Sequence, residues 1–175
     1  MEITHAEWAM ATAAAEETPL RITVTSSTFR DGEAIPPKHT CDGADVSPQL
    51  MWSAPPPGTR SLALIVDDPD APSKTWVHWV VYNIPPSVRA LHESFPANSR
   101  LPDGTQQGMT DFGRSGYGGP CPPRGTHRYF FRVYALDTVL TLPSEQAAKA
   151  ALEQAMAGHV LVQGTLMGTY RRKKH

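Results

Sequence analysis

Frequent prolines and glycines are the feature that most limits the folds open to this chain. Its 175 residues include 17 prolines and 13 glycines. Proline fixes its own φ and removes a backbone donor, so it interrupts helices and central strands, while glycine marks turns. The interruptions are close enough together to favour many short strands over long helices. The sequence therefore predicts an all-β fold.

Five apolar segments between these interruptions have the length and composition of strands. β-Branched and aromatic residues, which suit a pleated and half-buried surface, are frequent in them. Two of the segments are nearly continuous apolar runs, which is typical of strands buried on both faces. The predicted strands cover residues 21–25, 61–67, 76–83, 128–135 and 160–166.

One segment has helical periodicity instead. Ala148, Leu152 and Met156 recur every four residues, Ser144 is a candidate N-cap and Gly158 a candidate stop. We therefore predict one amphipathic helix in the C-terminal region, with its apolar stripe packed on the core. Because helices and strands do not alternate as in βαβ units, the predicted fold is a sandwich of two antiparallel sheets with this helix and short helical turns.

The length and charge of the chain limit its organisation and its partners. A chain of this size is expected to form one domain, and 40% hydrophobic residues are enough for a core. No apolar run approaches the ~20 residues of a membrane helix, so no stable membrane insertion is expected. The net charge of −1 excludes a broad basic field for nucleic acid.

We predict a domain over residues 20–172, a flexible N-terminal extension over 1–19 and a basic tail over 173–175. Glu2 and Glu7 precede the weakly apolar part of the extension, and Arg21 is the earliest cationic residue. A secretory signal begins with positive charge, so we expect a cytoplasmic protein.

Two carboxylates follow an apolar strand directly. Asp68 and Asp70 are two residues apart, so in an extended segment both point to one side. We therefore expect both in one cavity. An Asx-type turn after the strand is the alternative interpretation.

Two histidines and a tyrosine interrupt other apolar strands. His78 lies within a predicted strand, and His127 and Tyr129 open another with a spacing of two. Each could be a core residue satisfied by hydrogen bonds. Together with the carboxylates and with Gly118 and Gly119 in a nearby loop, they predict a pocket for a phosphate-bearing anion.

The same residues lie in motifs that resemble the phosphatidylethanolamine-binding proteins, and within them the bacterial and archaeal Raf-kinase-inhibitor-like subgroup. The resemblance covers about residues 21–172. The motifs that carry it read Asp-Pro-Asp-Ala-Pro at 68–72, Trp-Val-His-Trp at 76–79 and Gly-Pro-Cys-Pro-Pro-Arg-Gly-Thr-His-Arg-Tyr at 119–129, with further matches at 29–32, 46–48, 110–113 and 166–170.

The resemblance implies a β-sandwich with a small anion pocket at one end and no cofactor. Carried over by motif, its ligand-binding residues are Asp68, Asp70, His78, Gly119, His127 and Tyr129, with Pro72 and Trp76 as walls. Relatives bind phospholipid head groups and phosphate, and some mammalian members inhibit kinases. The link between Pro72 and Trp76 is shorter here, so the kinase partners are not carried over.

Three functions remain open from the sequence. The leading hypothesis is a non-enzymatic protein that binds a phospholipid head group, phosphate or a phosphorylated metabolite. A metal-assisted or acid/base hydrolase would use the same Asp and His side chains. Inhibition of a protease or kinase through the surface is the third. The chain has no HExxH, GxSxG or P-loop motif. A homodimer is possible, but no pattern specifies it.

The two cysteines show no metal-binding or redox spacing. Cys41 and Cys121 both lie in loops that could border the pocket. The sequence leaves open a disulfide between them and two free thiols.

Overall fold

The structure, a computed structural model, describes residues 21–173. The predicted extension over 1–19 lies outside the described residues, as do the last two residues of the predicted basic tail. The described chain contains eight strands: β1 (Val24–Thr25), β2 (Leu50–Trp52), β3 (Ser61–Asp68), β4 (Trp76–Ile84), β5 (Ala90–Leu91), β6 (Gln106–Gln107), β7 (His127–Leu136) and β8 (Val160–Tyr170). One α-helix, α1 (Lys149–Met156), and two 3₁₀ turns, Pro37–His39 and Ser144–Gln146, accompany them.

The strands form two antiparallel sheets, which confirms the predicted fold class. One sheet has the order β6-β4-β3-β7-β8, and the smaller one has the order β1-β2-β5. β3 lies in the centre of the larger sheet, between β4 and β7, and every one of its residues is buried. The continuous apolar run of this strand is explained by its central position, because both of its faces are covered.

Alternate residues of β3 face two different cores. Leu62, Leu64 and Val66 point towards the smaller sheet, while Ala63 and Ile65 lie in a second cluster on the other face. The second cluster also contains the helix residues Leu152 and Met156, which confirms that the apolar stripe of α1 is core packing. Burial of a Leu or Ile side chain contributes about 1.5–3 kcal/mol, so both clusters hold the larger sheet in place.

The structure corrects the predicted start of the helix. α1 begins at Lys149, and its N-cap, Ala148, offers no side-chain hydrogen bond. Ser144 opens a separate 3₁₀ turn, and its hydroxyl donates to the Ser99 carbonyl at 2.9 Å, so the predicted cap is wrong. The predicted stop agrees with the structure, since Gly158 follows the C-cap with φ at +82°.

The ends of the predicted strands also differ. Regular pairing in the first predicted strand is limited to Val24 and Thr25, opposite Trp52 and Met51. The last strand continues to Tyr170 because it pairs with β7 along nearly its whole length. No helix in the described part of the chain is long and apolar enough to cross a membrane.

The larger sheet brings three distant parts of the chain together at one end of its inner strands. Asp68 at the end of β3 pairs with Trp76 at the start of β4. On the other side of β3, Asp67 pairs with Phe130 near the start of β7. The carboxylates, the tryptophan–histidine motif and the histidine–tyrosine motif therefore meet at this end of the sheet.

Candidate functional site

A cavity of about 230 Å³ opens at this end of the larger sheet. It brings together six residues that the sequence predicted for the site, and it leaves out Asp70 and Gly119. The lining residues are Asp68, Ala71, Pro72, Trp76, His78, Phe112, Cys121, Pro122, Pro123, His127 and Tyr129.

The Asp68 carboxylate is fixed by two donors. Its Oδ2 lies 2.6 Å from His127 Nδ1, and its Oδ1 accepts the Asp70 backbone N–H at 2.7 Å. Asp68 and His127 are both buried, and a buried carboxylate needs such partners. Because Nδ1 of His127 donates to Asp68, Nε2 is the ring nitrogen left for a guest in the cavity.

His78 is oriented by the backbone of the glycine-rich loop. Its Nδ1 donates to the Gly118 carbonyl at 2.7 Å, and the Gly118 N–H donates back to the His78 carbonyl. Burial lowers the pKa of His78, although the bond to Gly118 and the charge of Asp68 oppose the shift. Near pH 7 the ring is therefore neutral, with a lone pair on Nε2.

Tyr129 places a buried hydroxyl in the wall of the cavity. Its side chain is 1% exposed, and its Oη lies close to the Asp68 carboxylate but makes no hydrogen bond of good geometry with any residue of 21–173. Burial and, second, the charge of Asp68 raise the pKa of Tyr129 well above 10, so the hydroxyl keeps its proton. A buried hydroxyl without a partner costs about 1–3 kcal/mol. The cavity thus holds a donor that a bound guest can satisfy.

The lining contains no lysine or arginine. Its polar side chains are one carboxylate, two imidazoles, one phenol and one indole, set beside the Phe112 ring and three prolines. The rings of His78 and Tyr129 meet edge to face at 5.2 Å, and the rings of His127 and Tyr129 stack at 6.5 Å. An anion in this cavity would be bound by neutral donors or by imidazolium groups, next to the charge of Asp68.

Asp70 does not share the cavity with Asp68, contrary to the expectation from spacing. Its carboxylate forms two hydrogen bonds with the Arg128 guanidinium and accepts the Arg128 backbone N–H, all at 2.9 Å. These bonds lower the pKa of Asp70 to about 2. Side-chain alternation ends with β3 at Asp68, where the bond from the Asp70 N–H forms the Asx-type turn that was the alternative interpretation.

Gly119 also lies outside the lining. Its N–H donates to Asp45 Oδ1 at 2.8 Å, and a Cβ at this position would lie 2.3 Å from the His39 carbonyl oxygen. A Cβ on Gly118 would lie 2.3 Å from the Phe112 ring. Both glycines therefore allow close packing around the site, and the carbonyl of Gly118 sets the His78 tautomer.

The sequence placed the loop of Cys121 beside the pocket, but it did not name the lining residues Ala71, Phe112, Pro122 and Pro123. The Phe112 ring is 39% exposed and meets the Trp76 ring edge to face at 5.7 Å. It belongs to one of the matching motifs, over residues 110–113, which was the available signal. Pro122 and Pro123 form another part of the wall.

A disulfide joins Cys121, which lines the cavity, to Cys41, 80 residues earlier in the chain. Of the two alternatives that the sequence left open, the structure has the bridge.

In residues 21–173, no group of three His, Cys, Asp or Glu side chains is placed to hold a metal ion.

Known proteins resemble the chain over nearly all of its described part. The family model for phosphatidylethanolamine-binding protein matches residues 25–171. A UPF0098 protein of Methanothermobacter thermautotrophicus is 56% identical over 144 residues, which are 82% of this chain and 95% of the relative. A UPF0098 protein of Aquifex aeolicus is 51% identical over 154 residues, which are 85% of this chain and 88% of the relative.

Two crystal structures have the same fold. The phosphatidylethanolamine-binding protein homolog CT736 of Chlamydia trachomatis gives a TM-score of 0.80 at 40% identity, covering 89% of this chain and 100% of its own. YbcL of Escherichia coli, described as a new member of the mammalian family, gives a TM-score of 0.80 at 36% identity, covering 87% of this chain and 99% of its own.

Proposed function

The chain belongs to the phosphatidylethanolamine-binding protein family, and from this premise we propose that it binds a small phosphate-bearing molecule in the cavity without transforming it. The observation that carries the proposal is the Tyr129 hydroxyl, which is buried in the cavity wall without a hydrogen-bond partner among the described residues. The Nε2 atoms of His78 and His127 remain for the same guest, because both Nδ1 atoms are already engaged.

The absence of lysine and arginine from the lining restricts the charge state of the guest. Phosphate oxygens accept hydrogen bonds, and Tyr129 donates one. His78 is neutral near pH 7, so it contributes a second donor only when it takes up a proton. Otherwise the guest must supply a proton of its own, as a phosphate monoanion or an ammonium group does. Free phosphate, a phosphorylated metabolite and the zwitterionic phosphorylethanolamine head group all meet this requirement.

Binding explains the lining better than hydrolysis does. The pair of His127 and Asp68 can accept and donate a proton, which is the one feature that a hydrolase would share. The lining holds no serine or threonine hydroxyl, and the sulfur of Cys121 is already bonded to Cys41. The lining therefore offers no serine, threonine or cysteine nucleophile, and a hydrolase would have to use Asp68, a histidine Nε2 or the protonated Tyr129 hydroxyl.

Histidine NMR signals test the proposal directly. Inorganic phosphate and phosphorylethanolamine are titrated separately into the full chain, while ¹⁵N signals of His78 and His127 and the ³¹P signal of the ligand are followed. We expect saturable shifts of both histidines and an intact ligand. Histidine signals that stay unchanged at millimolar ligand would refute binding, and release of phosphate from phosphorylethanolamine would show hydrolysis.

A further inference from the structure

A second hollow, a cleft of about 280 Å³, lies beside the cavity. We call it the basic cleft, because four of its seven lining residues are cationic and none is acidic. Its lining residues are Pro122, Pro123, Arg124, Gly125, Arg171, Arg172 and Lys173. Since the net charge of the chain is −1, this positive charge is local.

The cavity and the basic cleft share a wall. Pro122 and Pro123 line both the cavity and the cleft, so the two spaces adjoin each other at this dipeptide. Proline has a fixed φ and no N–H, so a pair of prolines forms a stiff divider with little conformational freedom. A molecule that fills the cavity and extends over the dipeptide would reach the basic cleft.

Covalent and polar links fix the cleft relative to the cavity. Cys121 in the cavity wall is bonded to Cys41. The next residue, Asp42, accepts hydrogen bonds from the Tyr170 hydroxyl at 2.6 Å and from the Arg172 guanidinium at 3.2 Å. The segment that follows β8, with Arg171, Arg172 and Lys173, is therefore tied to the loop that contains Pro122 and Pro123. Such a preformed arrangement lowers the ordering cost of binding.

Three of the cations are available to a ligand. Arg124, Arg171 and Lys173 are exposed, and none of them forms an ion pair with another residue of 21–173. Arg172 forms an ion pair with Asp42, which fixes its position in the cleft. Like charges in one cleft repel each other, and a bound anion relieves this repulsion. Arginine also offers paired donors that match phosphate oxygens.

We propose that the basic cleft is a second anion subsite, and that the ligand is a phosphoester carrying a further anionic group. Its phosphoryl group occupies the cavity at Tyr129, and its second anion binds Arg124 and Arg171 across the proline divider. The inference rests on the proposed function of the cavity and adds to it the class of ligand. It also explains how a cavity without lysine or arginine acquires affinity for an anion.

Matched ligands separate the two subsites. Alkane bisphosphates of increasing linker length are compared with the corresponding alkyl monophosphates by calorimetry on the full chain. We expect one linker length to bind about tenfold more tightly than its monophosphate, as a charge-assisted contact predicts. The double variant Arg124→Ala/Arg171→Ala should lose this advantage while its affinity for the monophosphate stays within about twofold. Arg60→Ala is the control, since Arg60 is an exposed cation at the opposite end of β3 from Asp68.

The possible failures are distinguishable. If bisphosphates bind no more tightly than monophosphates at any linker length, while monophosphates still shift the His78 signals, the second subsite is refuted and the cavity proposal stands. If no ligand shifts the histidine signals, the cavity proposal fails and the inference with it. A bisphosphate whose affinity is unchanged by Tyr129→Phe binds the basic cleft alone, and this would refute the bridging arrangement.

Discussion

His127 Nδ1 lies 2.6 Å from Asp68 Oδ2, so the imidazole at the start of β7 is held by the carboxylate at the end of β3. The Gly118 carbonyl holds His78 through the equivalent ring nitrogen. Each histidine therefore has one tautomer imposed on it through Nδ1, and each keeps Nε2 for a bound molecule.

Asp68→Asn should release the tautomer of His127. An amide side chain can donate as well as accept, so it no longer requires a proton on Nδ1. We expect long-range ¹⁵N–¹H spectra to show a single Nδ1–H form of His127 in the wild type and a mixture of tautomers in the variant. Phosphate affinity should fall about tenfold, because the His127 ring is no longer held in one tautomer and orientation. An unchanged tautomer in the variant would show that Asp68 does not set it.

Tyr129→Phe should separate binding from stability. The Tyr129 hydroxyl has no partner among the described residues, so its removal should leave the free energy of unfolding unchanged or raise it by about 1 kcal/mol. Phosphate affinity should fall by about tenfold, because one donor is lost. Chemical denaturation and calorimetry measure the two quantities.

Tyr117→Phe is the matched control for this variant. Tyr117 is also buried, but its hydroxyl donates to the His39 carbonyl at 2.7 Å, away from the cavity lining. Its removal should destabilise the fold by about 1–2 kcal/mol and leave phosphate affinity unchanged. If both variants lose affinity equally, the effect of Tyr129→Phe is not specific to the cavity.

The buried imidazole of His78 should make stability depend on pH. Burial lowers its folded pKa below the ordinary value of 6.5, so the unfolded chain binds more protons than the folded one below this pH. The contribution of His78 to stability is therefore complete above about pH 6.5 and declines as the pH falls. Bound phosphate should reduce the decline, because an anion favours the imidazolium form.

Denaturation curves between about pH 7 and pH 5 measure this dependence, and His78→Gln isolates it. Glutamine does not titrate, so the decline should be shallower in this variant than in the wild type. His92→Gln, which changes an exposed histidine, should behave like the wild type. Equal slopes in His78→Gln and the wild type would assign the pH dependence to other groups.

The sheet could be predicted from the sequence because hydrophobic patterning reflects burial. The runs that form β3 and β4 are nearly continuously apolar, and these strands lie inside the larger sheet. The first predicted strand was less accurate, since its alternating pattern covers residues that pair regularly only at Val24 and Thr25. Ser144 was a reasonable cap by residue type, but a 3₁₀ turn separates it from α1.

The site was partly predictable for the same physical reason. Polar residues in buried strands need partners, and on this ground the sequence singled out His78, His127 and Tyr129, which the structure places around one cavity. Residues in loops could not be placed by strand alternation. Asp70 turns away to Arg128 just beyond the end of β3, and Gly119 packs against the His39 carbonyl. Their positions depend on turn geometry, which the spacing of residues does not encode.

Asp70→Asn tests the role that the structure gives to this residue. Because Asp70 lies outside the cavity, phosphate affinity should stay within about twofold of the wild-type value. Its pKa is lowered to about 2 by Arg128, so the stability that it contributes is present above about pH 4 and is lost as the pH falls towards 2. The variant should therefore be slightly less stable at pH 7 and equal to the wild type near pH 2. A large loss of affinity would place Asp70 back in the binding site.

Loss of the disulfide should affect both folding and binding. Cys41 and Cys121 are 80 residues apart, and closing a loop of this length stabilises the folded state by about 4 kcal/mol in the chain-entropy model. Cys41→Ser/Cys121→Ser should lower the free energy of unfolding by about this amount and weaken phosphate binding, because Cys121 forms part of the cavity wall. The wild type treated with reductant should match the variant in both measurements. Two thiols alkylated in the untreated native protein would contradict the bridge, and equal affinity in the variant would show that the wall keeps its shape without it.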